Sequence, residues 1–416
     1  MTDSSADLTP EAARLAARQI YDDQSSVAEP FQIFRWLQQN DPATDIGGVV
    51  MLTRFEDIVG GYRDRRLSRA EGARLESGAH DAAGSVDEEV EIARQAWVNM
   101  LINLDEPAHR RVRQILEVAF KPTRVAAWQP RVQAIADELV ASVSGLEMFD
   151  FRQQIAFPLP ERIICELMGV PFEDHSLWSA WSDVVVRNTN RTDLSADESA
   201  EVLAAHRNFY TYFKELVDKA KRNPGEDLVS VLARAECEGE QLSELEMLGS
   251  LQMLIEAGHE TTANLVCNGM HALLTHPDQY DLLRANPELV PSAVEEMLRF
   301  CSPAARSLTR VATEDVHIAG AVIPKGCPVM MQLNAANRDA SVFANPDAFD
   351  ITRSENRHVA FAAGPHFCLG NQLARQEAQA IFRGVATKLP RLVLARDPLV
   401  RKSNVSCLNE LMVRPS

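Results

Sequence analysis

Apolar positions in this chain recur mostly at three- and four-residue intervals, the spacing of helices with one buried face. Phe31 to Gln39 reads as an early helix, and Arg54-Phe-Glu-Asp57 as the start of another. Pro107 opens a helix to about Phe120, stopped by Lys121-Pro122. Several helices follow between 125 and 235, with a break at Pro224-Gly225. Ser243-Glu-Leu-Glu246 has the spacing of a capping box. From there the apolar pattern continues to about Leu274; roughly thirty residues at ~1.5 Å each reach ~45 Å, enough to cross a domain. Pro291 to Phe300 is another helix, and Leu369 to Lys388 a final long one. Period-two or short apolar runs mark strands at Val49 to Thr53, Ser307 to Ile318, Val322-Ile323 and Val329 to Leu333, with a turn at Pro324-Lys-Gly326. Residues 68–90, rich in Ala, Gly, Ser and charge, predict a mobile loop, and Asn334 to His358 an irregular stretch. The chain shows no internal repeat. The pattern predicts a mainly α protein with a small β region: one domain over 26–416 behind an N-terminal extension, 1–25.

Composition narrows the function classes. Apolar residues make up 46% and charged residues 24% of the 416, ordinary for a globular protein with a large core. The net charge of −17 excludes general nucleic-acid binding, which needs a basic surface. No apolar run is long enough for a membrane span, and Met1 to Gln19 has no apolar signal core, so a cytoplasmic protein is expected. The seven cysteines, Cys165, Cys237, Cys267, Cys301, Cys327, Cys368 and Cys407, are widely spread with no zinc or redox spacing. Six of them read as small buried hydrophobes.

Cys368 is different. It sits in Phe361-Ala-Ala-Gly364-Pro-His366-Phe-Cys368-Leu-Gly370, between the irregular stretch and the last helix. The flanking glycines allow a tight turn and close approach of a bulky group. Amides at a helix N-terminus stabilise a thiolate, which makes the sulfur a good metal ligand. On the long helix, Ala257-Gly258-His259-Glu260-Thr261-Thr262 puts small residues where something flat can approach the backbone. A threonine there can bond the carbonyl four residues back, beside an acid able to relay protons. Two further patterns are weaker alone: Glu296-Met-Leu-Arg299, a pair sharing one helix face, and Asp105-Glu-Pro-Ala-His109-Arg-Arg-Val-Arg113, with His109 and Arg113 one turn apart.

The cysteine segment resembles the haem-binding loop of cytochromes P-450, F-x-x-G-x-H-x-C-x-G, at every specified position. The helix motif resembles the same family's oxygen-activation motif, A/G-G-x-D/E-T. The other two resemble its E-x-x-R and D-x-P-x-H-x-x-x-R helices, and all four fall in the family's order. The resemblance covers most of the chain after about residue 25. It implies the cytochrome P-450 fold, with heme b (iron protoporphyrin IX) between the long central helix and the cysteine-loop helix, and Cys368 as the axial thiolate. Phe361, Gly370 and Ala257 would contact the cofactor. His109, Arg113, Arg310 and His366 would partner its two propionates, which need cationic or hydrogen-bonding groups when enclosed. Thr261 would steady bound oxygen, and Glu260 would help deliver protons. Arg353 would complete a structural Glu296–Arg299–Arg353 cluster.

The implied activity is a monooxygenase that inserts one atom of O₂ into a small organic substrate, by hydroxylation or epoxidation. A peroxide-using haem-thiolate enzyme or a non-catalytic haem gas sensor are the alternatives, and the Glu260-Thr261 pair argues against both. Electrons would come from a separate ferredoxin and its reductase. The basic stretch Arg110 to Arg124, with Arg110, Arg111, Arg113, Lys121 and Arg124 against one acid, Glu117, is the expected docking site. Substrate would meet Leu254, Ala257, Ala304 to Leu308 and parts of 68–104. Ten residues separate Arg299 from Arg310, one more than is usual in the family, so the register of 304–308 stays open.

Overall fold

Ser243 opens the longest helix. Its hydroxyl accepts the Glu246 amide at 3.3 Å, and the Glu246 carboxylate accepts the Ser243 amide at 2.9 Å, the capping box expected from the spacing. In the computed structural model, which describes residues 8–23, 27, 29–78, 88–188, 194–400 and 408–416, this helix runs unbroken over Glu244–Thr275. Its side chains are buried all round, so it needs partners on every side. They are the helices Glu88–Val98, Pro158–Met168, Ala196–Arg222, Val290–Cys301 and Asn371–Lys388.

Glycine lets them come close. A Cβ on Gly249 would lie 2.2 Å from the Ala96 carbonyl oxygen, and one on Gly269 2.7 Å from the Met297 sulfur. Gly258 belongs to this set: its Cβ would lie 3.3 Å from Ile164 of the neighbouring helix. The small residue read from sequence as an approach for a flat group therefore serves helix packing at Gly258. Ala257, beside it, is exposed.

Two apolar clusters flank the central helix. One gathers Ile135, Leu139, Met270, Met297, Ile381 and Phe382, where helix Pro122–Ser142 packs along Asn371–Lys388. The other lies under Ala196–Arg222, with Trp178, Phe209, Phe213 and Leu251 at its centre.

The β region is small and assembled from distant segments. Its main sheet has the order Ala43–Asp45, Val50–Leu52, Pro328–Met331, Arg310–Ala312, Leu67–Ser68. Val50 stands opposite Val329 in the one parallel pair, and Arg310 stands opposite Val329 on the other side. The run from Ser307 to Ile318 is two strands, Arg310–Ala312 and Val316–Ile318, and Ser307, ahead of both, is tied separately to Met331 through its amide and its hydroxyl. Leu333, expected at a strand end, opens the one-turn helix Leu333–Ala336.

The largest correction falls in 68–90. Arg69–Gly78 and Glu88–Val98 are helices, and 79–87 lie outside the described residues. Charge that looked solvated is buried here: Arg69 binds Glu76 at 2.6 Å, Asn103 at 2.7 Å and the Thr309 carbonyl at 2.9 Å. The segment marked off as an extension carries helix Pro10–Asp22, capped by Thr9, whose Ala13, Ala17 and Ile20 pack against Phe34, Leu37 and Met330. Among the described residues no helix is long and apolar enough to cross a membrane.

Candidate active site

The cysteine loop turns back on itself before helix Asn371–Lys388. Ala362 and Gly364 both have positive φ, +61° and +65°. Gly364 is required, because a Cβ would sit 2.9 Å from the Tyr62 carbonyl oxygen of helix Phe55–Arg63. The Cys368 amide donates to the Phe361 carbonyl at 3.0 Å, and Asn371 donates to the Cys368 carbonyl at 2.7 Å. Burial pushes the Cys368 thiol up; the Gly370 amide, hydrogen-bonded at the sulfur, and the cations Arg113 and Arg375 pull the other way. Burial prevails, while the amide and the two cations favour the sulfur's negative form. Phe361, almost fully buried, supports the loop from within, with Arg375 4.5 Å over its ring.

Four basic side chains converge beside this loop. His109 and Arg113 come from helix Ala108–Glu117, Arg310 from the main sheet and His366 from the loop itself. The rings of His109 and His366 are 4.2 Å apart. Arg113 donates to the carbonyls of Pro365 at 3.1 Å and Phe367 at 2.8 Å. Buried Arg310 donates to the Leu67 carbonyl at 2.8 Å. Burial, helped by the arginine cations, pulls His109 down to about 4 and His366 down to about 2. Both rings are therefore neutral near pH 7, and the fixed cations of the cluster are Arg113 and the buried Arg310. Among the described residues neither ring nitrogen of buried His109 has a hydrogen-bond partner. Arg69, which no motif singled out, adds its field to His366.

On the central helix, Thr261 donates to the Ala257 carbonyl at 2.8 Å without breaking the helix, and Glu260 is buried. His259 points elsewhere, to the Ile255 carbonyl and between Phe157 and Trp178.

The loop is held in place from behind. Glu296 and Arg299 are fully buried and paired at 2.7 and 2.8 Å, and Arg353 joins Glu296 at 3.2 Å. Arg299 also binds the carbonyls of Asn337, Pro346 and Ala348. The neighbouring Glu295 binds Arg375 at 2.7 Å and His358 at 3.1 Å.

A family model for cytochrome P450 matches residues 194–388. Cytochrome P450 CYP107DY1 of Priestia megaterium is 36% identical over 89% of this chain and 90% of its own. The vitamin D(3) 25-hydroxylase of Pseudonocardia autotrophica is 37% identical over 88% of each.

The chain belongs to the cytochrome P450 family.

The solved structure of P450BioI in complex with a hexadecenoyl-loaded acyl carrier protein superposes with a TM-score of 0.84 at 33% identity, covering 93% of this chain and 98% of that one. The cofactor of this P450 is heme b and its activity is that of a monooxygenase. The residues present fit that cofactor. A buried surplus of donors at His109 and Arg310 suits two carboxylates, and a sulfur faced by an amide suits an iron bound through a thiolate.

Backbone hydrogen bonds fix which members of 304–308 are accessible. Ala305 accepts the Asn334 amide at 3.1 Å and Ser307 donates its amide to Met331 at 2.9 Å, so Ala304, Arg306 and Leu308 are the accessible members. Arg306 is tied to the Tyr21 carbonyl at 2.7 Å. In the proposed docking stretch, Arg111 is not a free surface charge. It pairs with Glu246 of the central helix's first turn and with Glu240 at 3.4 Å. Arg113 is turned inward to the loop, and Arg110 pairs with Glu106 at 2.7 Å. Lys121 and Arg124 are exposed and form no ion pair among the described residues.

Proposed function

We propose that Cys368 is the axial thiolate ligand of heme b, and that His109, Arg113, Arg310 and His366 hold its propionates. The observation behind this is the meeting of four basic groups from three distant segments beside one cysteine loop. Phe361 and Gly370 shape the sulfur side, and Ala257 offers a small, accessible surface on the central helix. When bound, the haem supplies O₂ activation and oxidation of an organic substrate, with the second oxygen atom leaving as water.

This chain's own residues handle the protons. Thr261 commits its hydrogen to the Ala257 carbonyl, which leaves its oxygen as an acceptor toward the site. Glu260, one residue away and buried, is the proton-exchanging group. A ferredoxin, itself reduced by its reductase, delivers two electrons to the surface around Lys121 and Arg124. A cytoplasmic location suits a protein that depends on a reduced partner and a free thiol. Residues 26–416 act as the catalytic domain.

Cys368→Ala tests the assignment directly. The reduced carbon monoxide complex of the wild type is expected to show the red-shifted Soret band of thiolate ligation, and the variant to lack it. Retention of that band in Cys368→Ala would place the ligand elsewhere.

A further inference from the structure

Midway along the central helix, Glu256 carries a carboxyl that the roles above leave unused. Gln252, Glu256 and Glu260 lie at i, i+4 and i+8, on one stripe of that helix. The Gln252 side-chain amide nitrogen lies 2.6 Å from Glu256 Oε1 and 2.7 Å from Nδ1 of His206, on helix Ala196–Arg222. An amide NH₂ has two hydrogens, so both neighbours are acceptors and His206 keeps its proton on Nε2. This pins the Glu256 carboxyl from one side.

Nothing pins it from the other. Among the described residues the Gln252 contact is its one side-chain hydrogen bond, and no cation approaches it. Burial pushes the carboxyl up to about 8, as expected for a deep acid with no charge partner. Yet Glu256 is not sealed into the core. Ile255 on one side is fully buried, whereas Glu256 is partly accessible and Ala257 exposed. At about 100° per residue, Glu256, Glu260, Ala257 and Thr261 fall within about 140° of one half of the helix. Gly258 points away, into Ile164. The acid therefore opens on the half of the helix that carries the oxygen-handling pair.

An enclosed carboxyl without a charge partner is costly, and among the described residues only the Gln252 hydrogen bond offsets it. We propose that Glu256, oriented by Gln252 and His206, is the specificity residue of the substrate pocket and binds a cationic nitrogen of the substrate. The inference rests on the reading of the site given above: it supplies the substrate class, an apolar molecule bearing a basic amine.

The test uses the haem-loaded enzyme and matched ligands: phenylalkyl trimethylammonium ions of increasing chain length and their uncharged tert-butyl isosteres. A quaternary ammonium has no lone pair and cannot ligate iron, so any Soret shift reports pocket occupancy. The wild type is expected to bind the best-fitting ammonium at least ~10-fold more tightly than its isostere. Glu256→Gln, nearly isosteric, should bring the pair within ~2-fold while keeping both the isostere's affinity and the thiolate band. A wild type with no preference in any member of the series, or an unchanged ratio in Glu256→Gln, would overturn the inference alone. A wild type without the thiolate band would overturn the reading of the site as well.

Discussion

Thr261 shows how much one hydroxyl carries. Its hydrogen goes to the Ala257 carbonyl at 2.8 Å, so toward the site it offers only an acceptor oxygen. Losing a hydrogen bond of this kind costs typically ~0.5–1.5 kcal/mol. Thr261→Ala is therefore expected to uncouple the enzyme rather than silence it. Reducing equivalents should still be consumed, with more peroxide released per product; Thr261→Ser should restore coupling, and an unchanged product-to-cofactor ratio in the alanine variant would remove Thr261 from the mechanism. Arg310 offers a sharper separation of structure from function. It is a buried cation whose guanidinium has, among the described residues, one hydrogen bond, to a carbonyl, and burial lowers its pKa, a sign that the site tolerates its charge poorly. Replacing a poorly compensated buried charge with a hydrophobe of similar volume is often neutral or stabilising. Arg310→Met should leave the apoprotein's thermal midpoint equal or higher, yet weaken haem retention about 10- to 100-fold, the loss of one enclosed charge-assisted contact. Haem titration of the apoprotein beside a melting curve checks both; a drop in apoprotein stability with normal haem affinity would make Arg310 a structural residue.

At the scale of elements, helix Val290–Cys301 acts as a clamp with two adjacent acids. Glu296 faces the irregular stretch, through Arg299, Arg353, Asn356 and the Asp350 amide. Glu295, about 100° round the helix, takes His358 and Arg375, and so fastens the helix that follows Cys368. Burial pushes Glu295 up, but the hydrogen bonds and charges of His358 and Arg375 outweigh it and hold the carboxyl at about 2. A carboxyl depressed in the folded state contributes stability above its ordinary pKa of 4.5 and loses it as pH falls toward 2. Glu295→Gln should therefore lower stability at pH 7 by ~1–3 kcal/mol, and the gap to wild type should close as pH approaches 2. Urea midpoints at the two ends of that range measure it; a gap that persists at low pH would assign the effect to packing instead. The clamp also shows what was legible in the sequence. Local codes were readable: the capping box at Ser243, the spacing of Glu296 and Arg299, the loop around Cys368 and the helix pair His109 and Arg113. What depended on remote partners was not. Helix Arg69–Gly78 hangs on an arginine that reaches Asn103 and the Thr309 carbonyl, and which members of 304–308 are accessible hangs on Met331 and Asn334. Gly258 answers to Ile164, and Arg375 to Glu295, across distances that no periodicity encodes.

Across the whole molecule the charge is strongly negative, −17, so the proposed partner, if an acidic ferredoxin, would need a local exception to approach. Helix Ala108–Glu117 lies against the cysteine loop through the bonds from Arg113 to the Pro365 and Phe367 carbonyls, and exposed Phe367 marks the surface there. Lys121 and Arg124 follow directly on that helix, exposed and without ion pairs among the described residues. Arg111, in the same basic run, is instead engaged with Glu246 and Glu240, where it fastens this helix to the first turn of the central one. The two kinds of cation should behave differently. A Lys121→Glu, Arg124→Glu double variant is expected to slow first-electron transfer from ferredoxin at low salt, with the wild-type rate falling toward the variant's as salt rises, because exposed charges are screened over ~8 Å at physiological ionic strength. Its melting point and haem spectrum should not change. Arg111→Glu should instead lower the melting point, since it sets like charges against Glu246 at a partly buried site. Stopped-flow reduction across a salt series, with melting curves on both variants, decides the matter. A reduction rate indifferent both to salt and to reversal at Lys121 and Arg124 would move the docking surface off this face of the molecule.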